Sequence, residues 1–277
     1  MTPDEYCRQK AAASGSSFYY SFLFLPPERR RAITALYAFC REVDDVVDEC
    51  SDAQLARAKL AWWRLEVGKL FEGKPSHPVA NALVPFLERF QFKAEHLNEI
   101  IDGMEMDLTQ TRYLDFAGLE RYCYRVAGAV GLLAADIFGY ANPRTLDYAK
   151  QLGTAFQLTN IIRDVGEDSR KNRIYLPMDE LKRFGVPATD ILQAAYSEKF
   201  RALMEFQARR AESFYEKAMQ ALPAEDRRRQ RAGLIMAAIY RATLAEIESE
   251  GFKVLTQRTS ITPMRKLWLA WKTWLTA

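Results

Sequence analysis

Apolar residues return every three or four positions along most of the chain, which is the period of an α-helix. The clearest case is the stretch from Ala32 to Glu49, which follows Pro26-Pro27-Glu28, a favourable helix start. Further helices are predicted between a cap at Ser51 or Asp52 and a stop near Gly73, and over 78–90, 94–108, 116–139, 145–168, 188–222 and 227–251. No segment is a convincing strand, because alternation with period two is rare. The pattern predicts an all-α fold.

The helix over 32–49 has a polar stripe beside its apolar face. At about 100° per residue, spacings of four, three and four align four side chains: Tyr37, Arg41, Asp44 and Asp48. The apolar residues lie on the adjoining arc: Leu36, Cys40, Val43 and Val47. The other acidic residues are expected to face water: Glu42, Asp45 and Glu49. Because two carboxylates one turn apart repel, and partial burial raises that cost, a bound cation would stabilise the stripe.

A second polar stripe repeats this geometry more than a hundred residues later. Spacings of three, four and four align Gln157, Asn160, Asp164 and Asp168. One Asp-x-x-x-Asp on a helix is usually a solvated face, but two such stripes facing each other would form an all-oxygen site. Magnesium prefers such ligands and bridges them to phosphates. Gly166 favours fraying of the helix end at which Asp168 lies.

Three further clusters leave alternatives open. Asp102 and Glu105 share a helix face, with Asp107 close by, and this is either a polar surface or part of a site. Small residues at 127, 128 and 131 allow close packing of another helix or close approach of a bulky apolar ligand. The basic residues of the segment 170–173 could close over a phosphate.

Composition narrows the class of protein. The 277 residues, 49% hydrophobic and 27% charged, can form one large or two small domains, and we favour a single domain over 1–277. A formal charge of +3 predicts no nucleic-acid partner, and the arginines at 227–231 are typical of solvated surface. Four cysteines without a Cys-x-x-Cys pair and two distant histidines argue against zinc and disulfides. Asp4 and Glu5 near the start argue against a signal peptide, and no apolar run is long enough to span a bilayer. A cytoplasmic location is therefore expected.

The segment PMRKLWLAWKTWL near the C-terminus combines tryptophan with basic residues. Trp268, Trp271 and Trp274 follow one another at steps of three, with Arg265, Lys266 and Lys272 among them. This mixture is typical of interfacial helices, which would give peripheral contact with the inner face of the membrane. A tryptophan stripe docked on the core is the alternative.

Three segments in this order resemble the squalene/phytoene synthase family: SSFYYSFLFLPPERRRAITALYAFCREVDDVVDE, YCYRVAGAVG and QLTNIIRDVGEDSRKNRIYLP. Within the family, SGSSFYY, DECSD, IDGMEMDL and RTLDYAKQLG look most like bacterial enzymes that make presqualene diphosphate for hopanoids. The resemblance implies an isoprenoid synthase fold, a helical bundle around a central apolar cavity. It also implies Mg²⁺-dependent, head-to-head condensation of two molecules of farnesyl diphosphate to presqualene diphosphate, with release of diphosphate.

The resemblance also implies residue roles. The metal ligands would be Asp44, Asp48, Asn160, Asp164 and Asp168. Diphosphate and substrate would be held or oriented by Tyr37, Arg41, Gln157, Arg163, Tyr240 and Arg258. The prenyl channel would be lined by Tyr122, Val126 and Gly131, and substrate would also contact Ser17, Phe18 and Phe22.

Two alternatives remain to the presqualene reaction. The first is another product of the same family, namely phytoene, dehydrosqualene or squalene, because chain length depends on the cavity floor. The absence of a glycine-rich dinucleotide fingerprint favours a product that is not reduced. The second is a helical scaffold protein that has lost the reaction, although both aspartate sets are intact. The oligomeric state cannot be read from the sequence.

Overall fold

The computed structural model describes residues 1–13, 18–22, 24–50 and 52–277. Its α-helices are α1 Pro3–Ala13, α2 Phe18–Phe22, α3 Pro27–Glu49, α4 Ala53–Phe71, α5 Pro78–Leu83, α6 Ala94–Thr109, α7 Phe116–Cys123, α8 Ala129–Phe138, α9 Arg144–Arg170, α10 Met178–Phe184, α11 Ala188–Leu192, α12 Glu198–Ala221, α13 Arg231–Ser249 and α14 Pro263–Thr276. Within the described ranges the only β pairing is an isolated bridge between Arg112 and Ile174. The all-α prediction is confirmed.

Helices α3 and α9 carry the two polar stripes. Helix α3 begins at Pro27, as the proline pair predicts. Helix α9 runs through Gly166 to Arg170, so the prediction that its end frays at Asp168 is wrong. The glycine has another cause: a Cβ here would lie 2.6 Å from the carbonyl oxygen of Val254 and closer still to that of Leu255. Gly166 therefore allows the backbone at 254–255 to pack directly against α9.

Several predicted helices are shorter than expected. The range 78–90 ends as an α-helix at Leu83 and continues as a 3₁₀ turn, because Pro85 has no N–H to donate. The range 188–222 divides into α11 and α12 at Ala194, whose φ is 54°, and Ser197 then caps α12 by accepting from the N–H of Phe200. The range 227–251 becomes helical only at Arg231. Asp52 caps α4 as predicted, while the alternative cap, Ser51, lies outside the described residues.

Two groups of buried apolar side chains form the core. One contains residues of α9, α12 and α13, and the other contains residues of α3 to α6. Phe18 and Val126 pack against both groups. The boundary between the two groups is therefore where α2 and the segment after α7 lie.

Helix α1 covers the outer polar face of α3. The hydroxyl of Tyr6 donates to Glu42 at 2.7 Å, and Lys10 forms ion pairs with Glu42 at 3.0 Å and Asp45 at 2.7 Å. The prediction that Glu42 and Asp45 face water is therefore wrong, because polar residues of α1 are their partners. Glu49 is exposed, as predicted.

Two further predictions concern the length of apolar helices and the state of the cysteines. No helix in the described ranges combines the length and hydrophobicity that crossing a bilayer requires. All four cysteines are free thiols.

Candidate active site

An acidic pocket of about 140 Å³ lies between α3, α6 and α9. Its polar lining comes from both stripes, from α6, from α7 and from the segment after α9: Asp44, Asp48, Asp107, Tyr122, Gln157, Asn160, Asp164, Asp168, Lys171, Arg173 and Tyr175. The two predicted acidic stripes therefore face one common space. The basic segment after α9 borders the same space.

A largely apolar cavity of about 240 Å³ adjoins the acidic pocket. Four residues line both spaces: Asp44, Tyr122, Gln157 and Asn160. From Tyr122 the lining continues along α7 and α8 to Phe138, a distance of roughly 24 Å at the helical rise per residue. A molecule occupying both spaces would place a charged group among the carboxylates and a long apolar chain along α8.

A π turn at Tyr124–Gly128 joins α7 to α8 and sets the face that lines the cavity. On a regular α-helix, Gly131 would point about 180° away from Tyr122. The π turn absorbs one extra residue, so that Tyr122, Val126 and Gly131 all line the cavity. The single helix predicted over 116–139 lacks this turn.

Aromatic rings surround the end of the cavity near α2. The ring of Phe18 lies 5.4 Å from that of Tyr37 and 6.2 Å from that of Phe22. Tyr240 is behind this group, with its ring 4.7 Å from that of Phe156, which lines the cavity. Ser17, predicted to contact substrate, lies outside the described residues.

Basic side chains pair with the carboxylates of the pocket. Arg41 binds Asp44 at 2.5 Å. Asp164 receives Arg163 at 2.5 Å and Arg258 at 2.9 Å. Arg163 and Arg258 are thus adjacent to the pocket through Asp164, although neither is part of its lining.

Asp48 links α3 to the segment after α9. Its carboxylate lies 3.1 Å from Lys171 and 3.3 Å from Arg173. These two ion pairs join the first acidic stripe to the basic cluster that follows the second. The basic residues are therefore placed where they could exchange a carboxylate for a phosphate.

Burial and neighbouring charges act differently on the three best-buried stripe carboxylates. Burial raises the pKa of Asp44 to about 6 against the opposing effect of Arg41. Burial and then the charges of Asp164 and Asp107 raise the pKa of Asp168 to about 7. Burial also acts to raise the pKa of Asp164, but hydrogen bonds and charge from Arg163 and Arg258 outweigh it and lower that pKa. Burial thus outweighs the nearby basic side chains at Asp44 and Asp168, and a bound cation would stabilise the ionised form of both carboxylates.

Asp107 is a pocket residue that the sequence analysis did not select as a site residue. It accepts hydrogen bonds from the hydroxyls of Tyr122 at 2.9 Å and Tyr175 at 2.7 Å, and burial raises its pKa to about 6. Asp102 and Glu105 instead bind Arg64 of α4, at 2.6 Å and 2.5 Å. The acidic patch of Asp102, Glu105 and Asp107 was visible in the sequence, but of these three residues only Asp107 lines the pocket.

The donor atoms of the pocket fit a hard divalent cation. They are carboxylate oxygens together with the amide oxygen of Asn160, which is buried and accepts no hydrogen bond from the described residues. In those same ranges, no three Asp, Glu, His or Cys side chains already lie close enough to hold a metal. A cation would have to replace the basic partners of Asp44, Asp48 and Asp164.

Comparisons with known proteins agree on one family. The squalene/phytoene synthase family matches residues 11–265. A phytoene synthase of Arthrospira platensis is 37% identical, over 95% of this chain and 89% of the relative. A 15-cis-phytoene synthase of Synechococcus elongatus is 36% identical, with the same coverage of both chains.

Solved structures show the same relationship. A dehydrosqualene synthase determined with a ligand has a TM-score of 0.86 and 30% identity, over 98% of this chain and 95% of that chain. The squalene synthase HpnC from Alicyclobacillus acidocaldarius has a TM-score of 0.81 and 26% identity, over 90% and 94%. The predicted isoprenoid synthase fold is confirmed by these likenesses. The motifs, the fold and both comparisons lead to one conclusion: the chain belongs to the squalene/phytoene synthase family.

Proposed function

We propose that this protein condenses two molecules of farnesyl diphosphate head to head into presqualene diphosphate and releases diphosphate and a proton. The observation that supports this most directly is the continuity of the acidic pocket with a long apolar cavity through four shared residues. Members of the family are prenyltransferases. A prenyl diphosphate has the two parts that such a site would hold.

We further propose that Mg²⁺ is the cofactor, held by Asp44, Asp48, Asn160, Asp164 and Asp168. When bound, Mg²⁺ would stabilise the charge that develops on the leaving diphosphate. The oxygen-only donor set and the unpartnered amide oxygen of Asn160 support this assignment.

The chain's own residues would assist ionisation and protect the resulting carbocation. Arg41, Arg163 and Arg258 would exchange carboxylate partners for phosphate oxygens, which they can bind in the same bidentate manner. The apolar lining would exclude water from the allylic cation, and the faces of Phe18, Phe22 and Tyr37 would stabilise it by cation–π contact. The double bond of the second farnesyl diphosphate would then attack the allylic cation, a cyclopropane would close, and the released diphosphate would accept the proton that is lost.

Phytoene formation from two longer prenyl diphosphates is the second candidate. The curated relatives at 34% to 37% identity are phytoene synthases. Dehydrosqualene and squalene synthases are instead found among the solved structures. The four products share the first condensation, and they differ in chain length, in loss of the second diphosphate and in a reductive step.

Product analysis tests the proposal. Purified protein is incubated with Mg²⁺ and either farnesyl or geranylgeranyl diphosphate, with and without NADPH, and the products are identified by mass spectrometry. We expect presqualene diphosphate with or without reductant, and kcat/KM for farnesyl diphosphate at least about 10-fold above that for the C20 substrate. Faster conversion of the C20 substrate to phytoene would support the second candidate. Absence of any product would support the scaffold alternative.

The far end of the cavity is expected to control chain length. Phe138→Leu shortens a buried side chain that closes the lining at this end. We expect the preference for farnesyl over geranylgeranyl diphosphate to fall by about 10-fold, the effect of one or two methylenes in an apolar pocket. Phe86→Leu, at another buried phenylalanine outside this lining, is the control for general loss of packing. If Phe138→Leu leaves the preference for farnesyl diphosphate unchanged, another part of the cavity limits the chain length.

Stabilisation by Mg²⁺ is expected to depend on pH. In the folded protein Asp44 and Asp168 have pKa values of about 6 and 7, above the ordinary 3.8. They therefore bind protons more tightly when folded, and the stability that these two groups contribute to the metal-free protein is lost as pH rises from about 4 to 7. Mg²⁺ binds the ionised carboxylates, so the rise in unfolding temperature on adding MgCl₂ should be larger at pH 8 than at pH 5.5. Thermal unfolding followed by circular dichroism measures this. An equal rise at both pH values would contradict it.

A further inference from the structure

Helix α14 presents an apolar stripe to the outside of the molecule. Spacings of four, three and four align Met264, Trp268, Trp271 and Leu275, which are 81%, 52%, 55% and 54% exposed. Ala270, on the other side of the helix, is fully buried against the core. One face of α14 thus packs on the core, and the roughly opposite face is exposed and apolar. The outer face of an ordinary surface helix is polar.

Positive charge borders this stripe. Helix α14 contains Arg265, Lys266 and Lys272 and no acidic residue. The ammonium of Lys272 lies 5.0 Å from the ring of Trp268. In the last turns of α14, the ring of Trp274 lies 5.4 Å from the guanidinium of Arg231, and the exposed Arg227 and Arg228 precede Arg231 by four and three positions. The tryptophan stripe and the arginine segment, separate in the sequence, form one region.

The start of α14 adjoins the basic side of the candidate active site. The positive charges of Arg163 and Arg258, together with burial as the larger cause, lower the pKa of Lys266. Near the other end, Phe24, which follows α2, stacks on Trp274 with ring centres 5.7 Å apart. A surface that α14 contacts would therefore lie beside the helices that border the cavity.

We propose that α14 docks the protein on the surface of a lipid bilayer that contains anionic lipids. The apolar stripe would enter the headgroup region, where tryptophan is favoured, and the side chains of Lys272, Arg227 and Arg228 would face lipid phosphates. Charge complementarity identifies this partner, because an anionic bilayer offers an apolar interior and a negative surface together. The proposal concerns binding alone and does not depend on the proposed reaction.

Vesicle binding tests the proposal. The full chain, without prenyl substrate, is sedimented with vesicles of phosphatidylcholine alone or mixed with phosphatidylglycerol. We expect binding to the mixed vesicles that weakens with salt, and a loss of about 10-fold or more in the partition coefficient for Trp268→Gln/Trp271→Gln. Arg227→Gln/Arg228→Gln should reduce the preference for phosphatidylglycerol. Leu55→Gln/Leu65→Gln, at exposed positions of α4, should bind like the wild type.

Two results would overturn this assignment. One is equal binding of wild type and the double tryptophan variant to mixed vesicles, or no binding of either. The other is a dimer in lipid-free sedimentation velocity that Trp268→Gln/Trp271→Gln dissociates, which would assign the stripe to a second copy. Unchanged thermal unfolding of the variants confirms that their loss of binding is not loss of fold.

Discussion

Replacing Asp44 or Asp164 by asparagine is expected to lower turnover of farnesyl diphosphate by about 1,000-fold or more. Asparagine keeps the size of the side chain but removes the charge that would hold a divalent ion. Both carboxylates line the acidic pocket, one from each stripe, so that each change affects a different half of the proposed metal site. Steady-state kinetics with Mg²⁺ gives the rate, and far-ultraviolet circular dichroism should show unchanged helical content.

Glu42→Gln is a suitable control on the same helix. Glu42 lies on the face of α3 that contacts α1, where it accepts from Tyr6 and pairs with Lys10. Losing these contacts should lower the unfolding temperature and leave kcat within about threefold, because the interactions are far weaker than metal ligation. Near-normal turnover in either aspartate variant would contradict the proposed enzymatic role of these carboxylates and would favour the scaffold alternative.

The two acidic stripes were predictable because both are local features of a helix. Spacings of three and four fix which side chains share a face, whatever the rest of the fold does. The prediction that the two stripes face each other rested on the family resemblance and on the repeated pattern. The fold class was predictable for the same reason, since helical periodicity runs through most of the chain.

Residues whose role depends on distant partners were not predictable. Glu42 and Asp45 look solvated in the sequence, because helical periodicity cannot distinguish water from the polar face of α1. Asp107 was ranked no higher than Asp102, since the hydroxyls that bind it come from Tyr122 and Tyr175, 15 and 68 positions away. The π turn was missed because its five residues are ordinary helix formers apart from Gly128.

Gly166→Ala is expected to destabilise the protein and to weaken substrate binding. In an exposed helix this change would add about 1 kcal/mol of stability. Here the added methyl group would lie 2.6 Å from the carbonyl oxygen of Val254, whose hydrogen bond from the Gly166 N–H is 3.2 Å long. Overpacking of this kind costs about 1 to 3 kcal/mol, and the neighbour is backbone, which moves less easily than a side chain. The unfolding temperature should fall by several degrees, at about 2 to 4 °C per kcal/mol.

The displaced backbone at 254–255 leads directly to Arg258, which binds Asp164 at 2.9 Å. Moving it should therefore raise KM for the diphosphate substrate more than it lowers kcat, because Arg258 is proposed to bind phosphate rather than to hold metal. Gly68→Ala in α4 is the matched control, since no described residue outside the adjoining backbone of α4 lies within 4 Å of its added Cβ, and it should raise the unfolding temperature slightly. An equal or higher unfolding temperature in Gly166→Ala would show that the 254–258 segment can move away without cost. Arg258 would then not be held in position by the close packing at Gly166.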